Sequence, residues 1–101
     1  MPLDEARAAA ASARERRAAL LADVASGGLP VPRIDDDPRA PEVKTVVIAE
    51  AVPGVGKVQA RRVLEALGVP ASALWGDLSS GQRRALLDAL TAAGAPPTGA
   101  P

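Results

Sequence analysis

The residues best suited to do chemistry lie in a glycine hairpin at positions 53–57, with the sequence Pro-Gly-Val-Gly-Lys. A helix is expected to follow, and a helix N-terminus has unpaired N–H groups and partial positive charge that attract an oxyanion. Gly54 and Gly56 lack a Cβ and let a phosphate approach the main chain, while Lys57 adds a mobile positive charge. The hairpin amides, that of Val55 included, therefore predict a phosphate site, with nucleic acid as the first partner to consider.

The helix after the hairpin carries Arg61 and Arg62, which we expect to neutralise neighbouring phosphates. Rival glycine motifs fit this segment poorly. A P-loop requires Gly where Ala51 stands and Ser or Thr where Val58 stands, and a dinucleotide-binding fingerprint requires a third Gly where Gln59 stands. The sequence therefore predicts neither ATP nor dinucleotide binding, and no cofactor.

A long helix is predicted over residues 3–26, because acidic residues occupy its first turn and two glycines follow it. Its large apolar residues lie near the C-terminal end, so the first half of segment 1–26 is expected to project from the body. Arg7, Arg14 and Arg17 share one face at helical spacing. We predict that Arg14 and Arg17 contact the adjoining nucleic-acid backbone; a solvated, alanine-rich helix is the equally weighted alternative.

Residues 27–41 are rich in Gly, Pro and Asp and are predicted to form a linker. Asp35 to Asp37 could suggest a cation site, but an irregular loop without a downstream Glu or the glycine of an EF-hand does not fit one. A solvated loop, or Asp37 as a helix N-cap, is the better account. No metal site is predicted.

A small helical domain is predicted over residues 42–94. Residues 43–52 are rich in β-branched side chains, which favour a strand, but their apolar positions recur at helical spacing and Pro41 can begin a helix. We therefore expect a helix over 43–52. Residues 95–101 are expected to form a disordered tail.

The final helix of this domain has a recognisable start. Ser79 and Gln82 have the spacing of a capping box. Arg83 and Arg84 follow in its first turns, where a second phosphate contact and an ordinary solvent-facing role are equally supported. Trp75, just before this helix, is expected to be a packing residue, with stacking on a partner as the minority interpretation.

Two stretches of the chain together resemble a known module. Residues 52–68 have the pattern Val-Pro-Gly-Val-Gly-Lys-x-x-Ala-x-x-Val-Leu-x-x-Leu-Gly, and a second pattern follows as Asp77-Leu78-Ser79-x-x-Gln82-x-x-x-Leu86. Over residues 42–90 the sequence is similar to the helix-two-turns-helix module of the actinobacterial integration host factor family, nucleoid-associated relatives of helix-hairpin-helix units. The resemblance implies an all-α fold, with a long N-terminal helix before a small helical DNA-binding domain. It also implies double-stranded DNA as partner, a role in DNA organisation and recombination, and a recombinase or other nucleoid protein as a candidate partner.

The sequence departs from that family's pattern at several positions. Members usually have a basic residue where Gln59 stands, and basic residues in the turn where this chain has Ala73, Leu74 and Gly76. Asp77 adds an acid beside this apolar turn. We therefore expect weaker and more salt-sensitive DNA binding than a typical member shows, or binding assisted by a partner that covers the turn.

Composition excludes several classes of function. The 101-residue chain has no Cys, His or Tyr and no carboxylate pair in an evident cleft, so we predict that it is not an enzyme. Without a long apolar run or a signal peptide, it is expected to contact no membrane and to lie in the cytoplasm, at the nucleoid. The formal net charge is zero, but residues 44–67 carry four basic and two acidic side chains, which concentrates positive charge near the hairpin.

The predicted function is duplex DNA binding through backbone phosphates, across the minor groove and without strong sequence preference, because no side-chain set is suited to read base edges. Two other classes stay open. One is RNA binding, since a small-subunit ribosomal protein has a similar module, although this C-terminus lacks a long basic tail. The other is a protein-interaction module with reduced nucleic-acid binding, which the zero net charge and the pair Leu74-Trp75 favour. The oligomeric state stays open as well.

Overall fold

A computed structural model describes residues 3–94, and within that range the fold is all-α. The order of elements confirms the long N-terminal helix followed by a small helical region. Residues 3–94 form four α-helices, α1 (Leu3–Ser26), α2 (Thr45–Ala51), α3 (Gly56–Ala66) and α4 (Ser80–Gly94), and three short 3-10 helices, which span Val31–Asp36, Ala40–Glu42 and Trp75–Asp77. The described residues contain no strand; a single antiparallel bridge joins Lys44 to Leu74. The predicted tail, residues 95–101, lies outside the described range.

Helix α1 contacts the rest of the protein mainly through its C-terminal half. Every residue from 3 to 10 is exposed, whereas Leu20 and Val24 are buried. Its 24 residues correspond to about 36 Å at the usual helical rise. The molecule accordingly measures 60 × 27 × 23 Å, and a long stretch of α1 is open to a partner. No helix within residues 3–94 has the length and apolar character needed to cross a membrane.

Residues 27–41 differ from the irregular linker expected from their composition. Two of the short 3-10 helices begin here, both with Pro in the first positions, and Ile34 and Ala40 are fully buried. Arg39 holds the segment together by ion pairs to Asp37 at 2.8 Å and to Asp23 of α1 at 2.9 Å. The segment is therefore part of the packed body. Asp37 does not cap α2; its Oδ1 accepts the Arg39 backbone N–H at 2.9 Å.

Helix α2 is shorter than the predicted 43–52 helix, because the chain before it is extended. The Trp75 backbone N–H donates to the Val43 carbonyl, and the Thr45 backbone N–H donates to the Ala73 carbonyl, both at 2.9 Å. These bonds pair the start of the segment with the turn before α4. The β-branched composition of the segment is thus expressed in this short extended piece, and the helical periodicity takes over at Thr45.

The core lies where α2, α3 and α4 meet the turn that carries Trp75. The indole is buried, which supports the packing role expected for it, and its Nε1–H donates to Asp35 Oδ1 at 3.1 Å. Helix α4 contributes Leu86 and Leu90, both fully buried. Its N-terminus has the expected reciprocal cap, because the Ser79 N–H donates to Gln82 Oε1 at 2.8 Å and the Gln82 N–H donates to Ser79 Oγ at 3.1 Å.

Candidate nucleic-acid interface

The glycine hairpin joins α2 to α3 through two left-handed glycines. Gly54 has a φ of +84° and Gly56 a φ of +73°, a region that is strained for a residue with a Cβ. Between them, the Val55 side chain is buried and its N–H donates to the Val52 carbonyl at 3.1 Å. The amide of Val55, one of the predicted phosphate ligands, is therefore already used inside the turn.

The two hairpin glycines face different surroundings. A Cβ added at Gly56 would meet no atom within 4 Å, so this side of the hairpin is open. A Cβ added at Gly54 would lie 3.1 Å from the Gly94 carbonyl oxygen. Both glycines were expected to let a phosphate approach; Gly56 is open to such an approach, whereas Gly54 lies against the end of α4.

Helix α3 begins at Gly56 without a capping side chain from the described residues. By helical geometry its first amides have no partner one turn back, and they carry the positive end of the helix dipole. Lys57, in the first turn, is exposed. An open approach, unpaired amides and a mobile cation thus coincide at Gly56 and Lys57.

Two arginines extend this positive charge along α3. Arg61 lies four residues after Lys57 and hence on the same face, while Arg62 is turned by about 100° around the helix. Both arginines are exposed. Arg61 Nη2 lies 3.8 Å from Glu50 Oε1, a long ion pair that its 64% side-chain exposure weakens further. The Arg61 guanidinium can therefore turn toward an external phosphate at little cost.

The predicted cations of α1 lie apart from the hairpin. Arg14 is exposed and makes no ion pair with any residue of the described range, whereas Arg16 is paired with Glu42 at 3.3 Å. Arg17 is half-buried and lines a groove of about 380 Å³ with Lys44 and Leu74. Lys44 precedes α2 and the hairpin follows it, so the Arg17 groove and the hairpin are separated by roughly the 10 Å length of this seven-residue helix.

Lys44 is a further candidate contact, which no motif of the sequence indicates. It is exposed, it shares the groove with Arg17, and the described residues offer it no ion-pair partner. Its proximity to α1 depends on the bridge to Leu74, which joins residues 30 positions apart. The sequence shows that Lys44 is basic, but it contains no local signal that predicts the pairing with Leu74.

The second arginine pair, on α4, is less suited to phosphate binding. Arg83 Nε lies 2.7 Å from Asp35 Oδ1 without the alignment of a hydrogen bond, and its Nη1–H donates to the Leu78 carbonyl at 2.5 Å. Arg84 is exposed, but it shares a surface depression with Asp35, Asp36 and Asp88. The acidic surroundings oppose an incoming phosphate.

One position of the turn before α4 excludes a basic side chain for a steric reason. A Cβ added at Gly76 would lie 2.9 Å from the Pro41 Cβ and 3.1 Å from the Pro41 carbonyl oxygen, so no basic side chain fits there. Leu74, two residues earlier, is 37% exposed. Residues 3–94 also contain no group of three or more Cys, His, Asp or Glu side chains placed to hold a metal ion.

Comparison with known proteins gives one clear structural match. The solved structure of sIHF bound to an 8-base-pair palindromic DNA superposes with a TM-score of 0.66 and 30% sequence identity, over 76% of this chain and 91% of that chain. No protein-family model and no curated protein sequence matches.

Proposed function

The chain belongs to the integration host factor type of protein that sIHF represents, and from this premise we propose that it binds double-stranded DNA through backbone phosphates. The relative is itself DNA-bound and is matched over 91% of its length. The observation that carries the proposal is the open, left-handed Gly56 at the uncapped start of α3, directly before the exposed Lys57.

The hairpin supplies the main phosphate contact in this proposal. The first free amides of α3, those of Gly56 and Lys57, donate to one phosphate, and the Lys57 ammonium neutralises it. Arg61 and Arg62 neutralise phosphates on either side, as their exposure on α3 allows. Gly54 and Val55 shape the hairpin and place these donors.

Helix α1 supplies the second contact. Arg14 and Arg17 lie three residues apart on one face, and their guanidinium groups reach the adjoining DNA backbone across the minor groove. All the donors in this set, amides and flexible cations, are assigned to phosphates, and phosphate contacts carry no direct sequence information. Binding therefore has no strong sequence preference and depends on the shape and flexibility of the duplex.

This mode of binding fits a non-enzymatic role at the nucleoid. A protein that grips duplex backbone at separated points can organise DNA and support the assembly of recombination complexes, with a recombinase or another nucleoid protein as partner. The cations assigned to DNA lie on α1 and α3, while the acidic side chains Asp35, Asp36 and Asp88 gather beside α4. The proposed DNA contacts thus avoid this acidic surface, although the net charge of the chain is zero.

A salt series of binding measurements tests the proposal. Fluorescence anisotropy of a labelled random-sequence duplex of about 20 base pairs is expected to give micromolar or tighter binding at low salt, with a log–log slope of about −2 to −4. Lys57→Ala/Arg61→Ala should make the slope shallower by roughly one to two. Arg33→Ala/Arg84→Ala is the matched control, because it removes the same charge from two exposed positions that both lie beside Asp36.

A second candidate function is protein binding at the groove beside Leu74. Its supporting observation is the exposed Leu74 next to Leu21 and Val47, an apolar surface bordered by Arg17. Absence of duplex binding at low salt would reject the DNA proposal and favour this one. The remaining alternative, RNA binding, is tested with duplex RNA of the same length as competitor. If RNA competes as well as DNA does, the protein binds nucleic-acid duplexes in general and has no preference for DNA.

A further inference from the structure

The C-terminal end of α4 is in direct contact with the glycine hairpin. A Cβ added at Gly94 would lie 2.8 Å from the Pro53 carbonyl oxygen, 3.2 Å from Val52 Cγ1 and 3.6 Å from Val55 Cγ2. The first of these distances is shorter than real Cβ atoms show, and its partner is a backbone atom. Only glycine at position 94 therefore allows α4 and the hairpin to approach as they do.

The contact is equally tight from the hairpin's side. A Cβ added at Gly54 would lie 3.1 Å from the Gly94 carbonyl oxygen and 3.5 Å from the Gly94 Cα. Because the shortest contact on each side is with a main-chain atom, a change of side-chain rotamer cannot relieve it. The hairpin is thus held on one side by α4, while Gly56 on the other side faces open space.

We propose that Gly94 is a positioning residue for the phosphate-binding hairpin, an inference that rests on the proposed function. The contact between Gly94 and Pro53 fixes the hairpin backbone three residues before Gly56, and the amides of Gly56 and Lys57 receive the phosphate. A hairpin that is already in its bound geometry loses less conformational freedom when DNA binds. Gly94 therefore contributes to affinity through the hairpin, without touching DNA itself.

Helix α4 is anchored well enough to act as a support. Leu90, one turn before Gly94, is fully buried, and so is Leu86 one turn earlier. The hairpin, in contrast, is a short turn whose residues Pro53 and Gly54 are exposed. A side chain introduced at position 94 is therefore expected to displace the hairpin rather than the body of α4.

Gly94→Ala tests the proposal, with Gly81→Ala as the matched control. Both substitutions lie in α4, but a Cβ at Gly81 would meet only Ser79 Oγ, at 4.0 Å. We expect Gly94→Ala to shift the amide resonances of Gly54, Gly56 and Lys57 in the DNA-free protein. Duplex binding should weaken by about five- to tenfold and the salt slope should become shallower by about one, while Gly81→Ala changes neither.

A double-mutant cycle identifies the route of the effect. If Gly94 acts through the hairpin, Gly94→Ala should weaken binding less in a Lys57→Ala background than in the wild type, because the same contact is already impaired. In an Arg14→Ala/Arg17→Ala background, Gly94→Ala should lower the affinity for the duplex by as large a factor as it does in the wild type. Full additivity with Lys57→Ala, or unchanged hairpin resonances in the folded Gly94→Ala protein, would overturn the proposal.

A measurement on the wild type keeps the test independent of the variant's folding. During titration with the 20-base-pair duplex at low salt, the Gly94 amide is expected to shift along the same saturation curve as Gly56, while the Gly81 amide stays in place. A stationary Gly94 amide beside a shifting Gly56 would reject the coupling. If the wild type binds no duplex at all, the proposed function fails, and the DNA-free spectra of Gly94→Ala still decide whether Gly94 sets the hairpin geometry.

Discussion

The Trp75 indole N–H donates to Asp35 Oδ1 over 3.1 Å, joining the turn before α4 to the 3-10 helix at Val31–Asp36. Arg83 Nε lies 2.7 Å from the same oxygen. One carboxylate therefore connects a buried aromatic ring and a cation to a segment 40 residues earlier in the chain. This arrangement makes Asp35 a structural residue and directs Arg83 away from any external phosphate.

Asp35→Ala is expected to lower the free energy of unfolding by about 1–3 kcal/mol, because the buried indole N–H loses its acceptor. Asp35→Asn keeps an acceptor oxygen and should be milder. Urea unfolding monitored by fluorescence suits the test, since Trp75 is the single tryptophan of the chain. Equal stability of Asp35→Ala and the wild type would show that the hydrogen bond contributes nothing.

Gly56→Ala and Gly68→Ala form a matched pair for the hairpin. Both glycines are left-handed, with φ of +73° and +68°, and a Cβ at either would meet no atom within 4 Å. Each substitution should therefore cost about 1–2 kcal/mol of stability through backbone strain. Only Gly56→Ala should also weaken duplex binding, by about tenfold, which corresponds to about 1.4 kcal/mol. Equal affinities of the two variants would place the phosphate elsewhere.

The arginines of α1 differ in their ion pairing, and this yields a third prediction. Arg14→Ala/Arg17→Ala should make the salt slope of DNA binding shallower by about two, because two phosphate contacts are lost. Arg16→Ala should leave the slope almost unchanged, since Arg16 is already paired with Glu42 at 3.3 Å. A larger effect of Arg16→Ala than of the double substitution would contradict the assignment of α1's DNA-facing side.

The dependence of stability on pH gives a fourth prediction. The side-chain hydrogen bond from Arg39 holds the pKa of Asp37 below its ordinary value of 3.8, although burial acts in the opposite direction. Because the pKa of Asp37 is lower in the folded state, the ionised pair stabilises the fold at every pH above the ordinary pKa. This stabilisation is lost as the pH falls through the folded-state pKa.

Urea unfolding between about pH 5 and pH 2.5 is therefore expected to show a loss of stability that Asp37→Asn reduces. Asp36→Asn is the control, because Asp36 is exposed and makes no ion pair within residues 3–94. Parallel pH profiles of the wild type and Asp37→Asn would contradict the account.

Features determined by local chemistry were predictable from the sequence. The long helix, the capping box of Ser79 and Gln82, and the hairpin glycines depend on neighbours a few residues away. The packed structure of segment 27–41 was not predictable. Its composition indicates an irregular chain, whereas Ile34 is buried by elements distant in sequence. The same holds for Arg83, whose partner Asp35 lies 48 residues earlier.

The candidate site was predictable to a similar extent. A glycine hairpin before a basic helix predicts an anionic ligand from sequence alone. Which glycine is open to such a ligand depends on tertiary packing, because the end of α4 lies against Gly54 and a Cβ at Gly56 would meet no atom within 4 Å. The proximity of Lys44 to Arg17 likewise follows from tertiary packing, which no local pattern reports.

Phosphate binding at the hairpin is tested most sharply by a map of amide shifts in the isotope-labelled wild type during titration with a duplex of about 20 base pairs. We predict the largest saturable shifts at Gly56, Lys57 and Val58, with smaller shifts around Arg14 and Arg17, all reversed by added salt. Shifts confined to the turn at Leu74 and Trp75, or no shift at low salt, would contradict a phosphate grip at the hairpin.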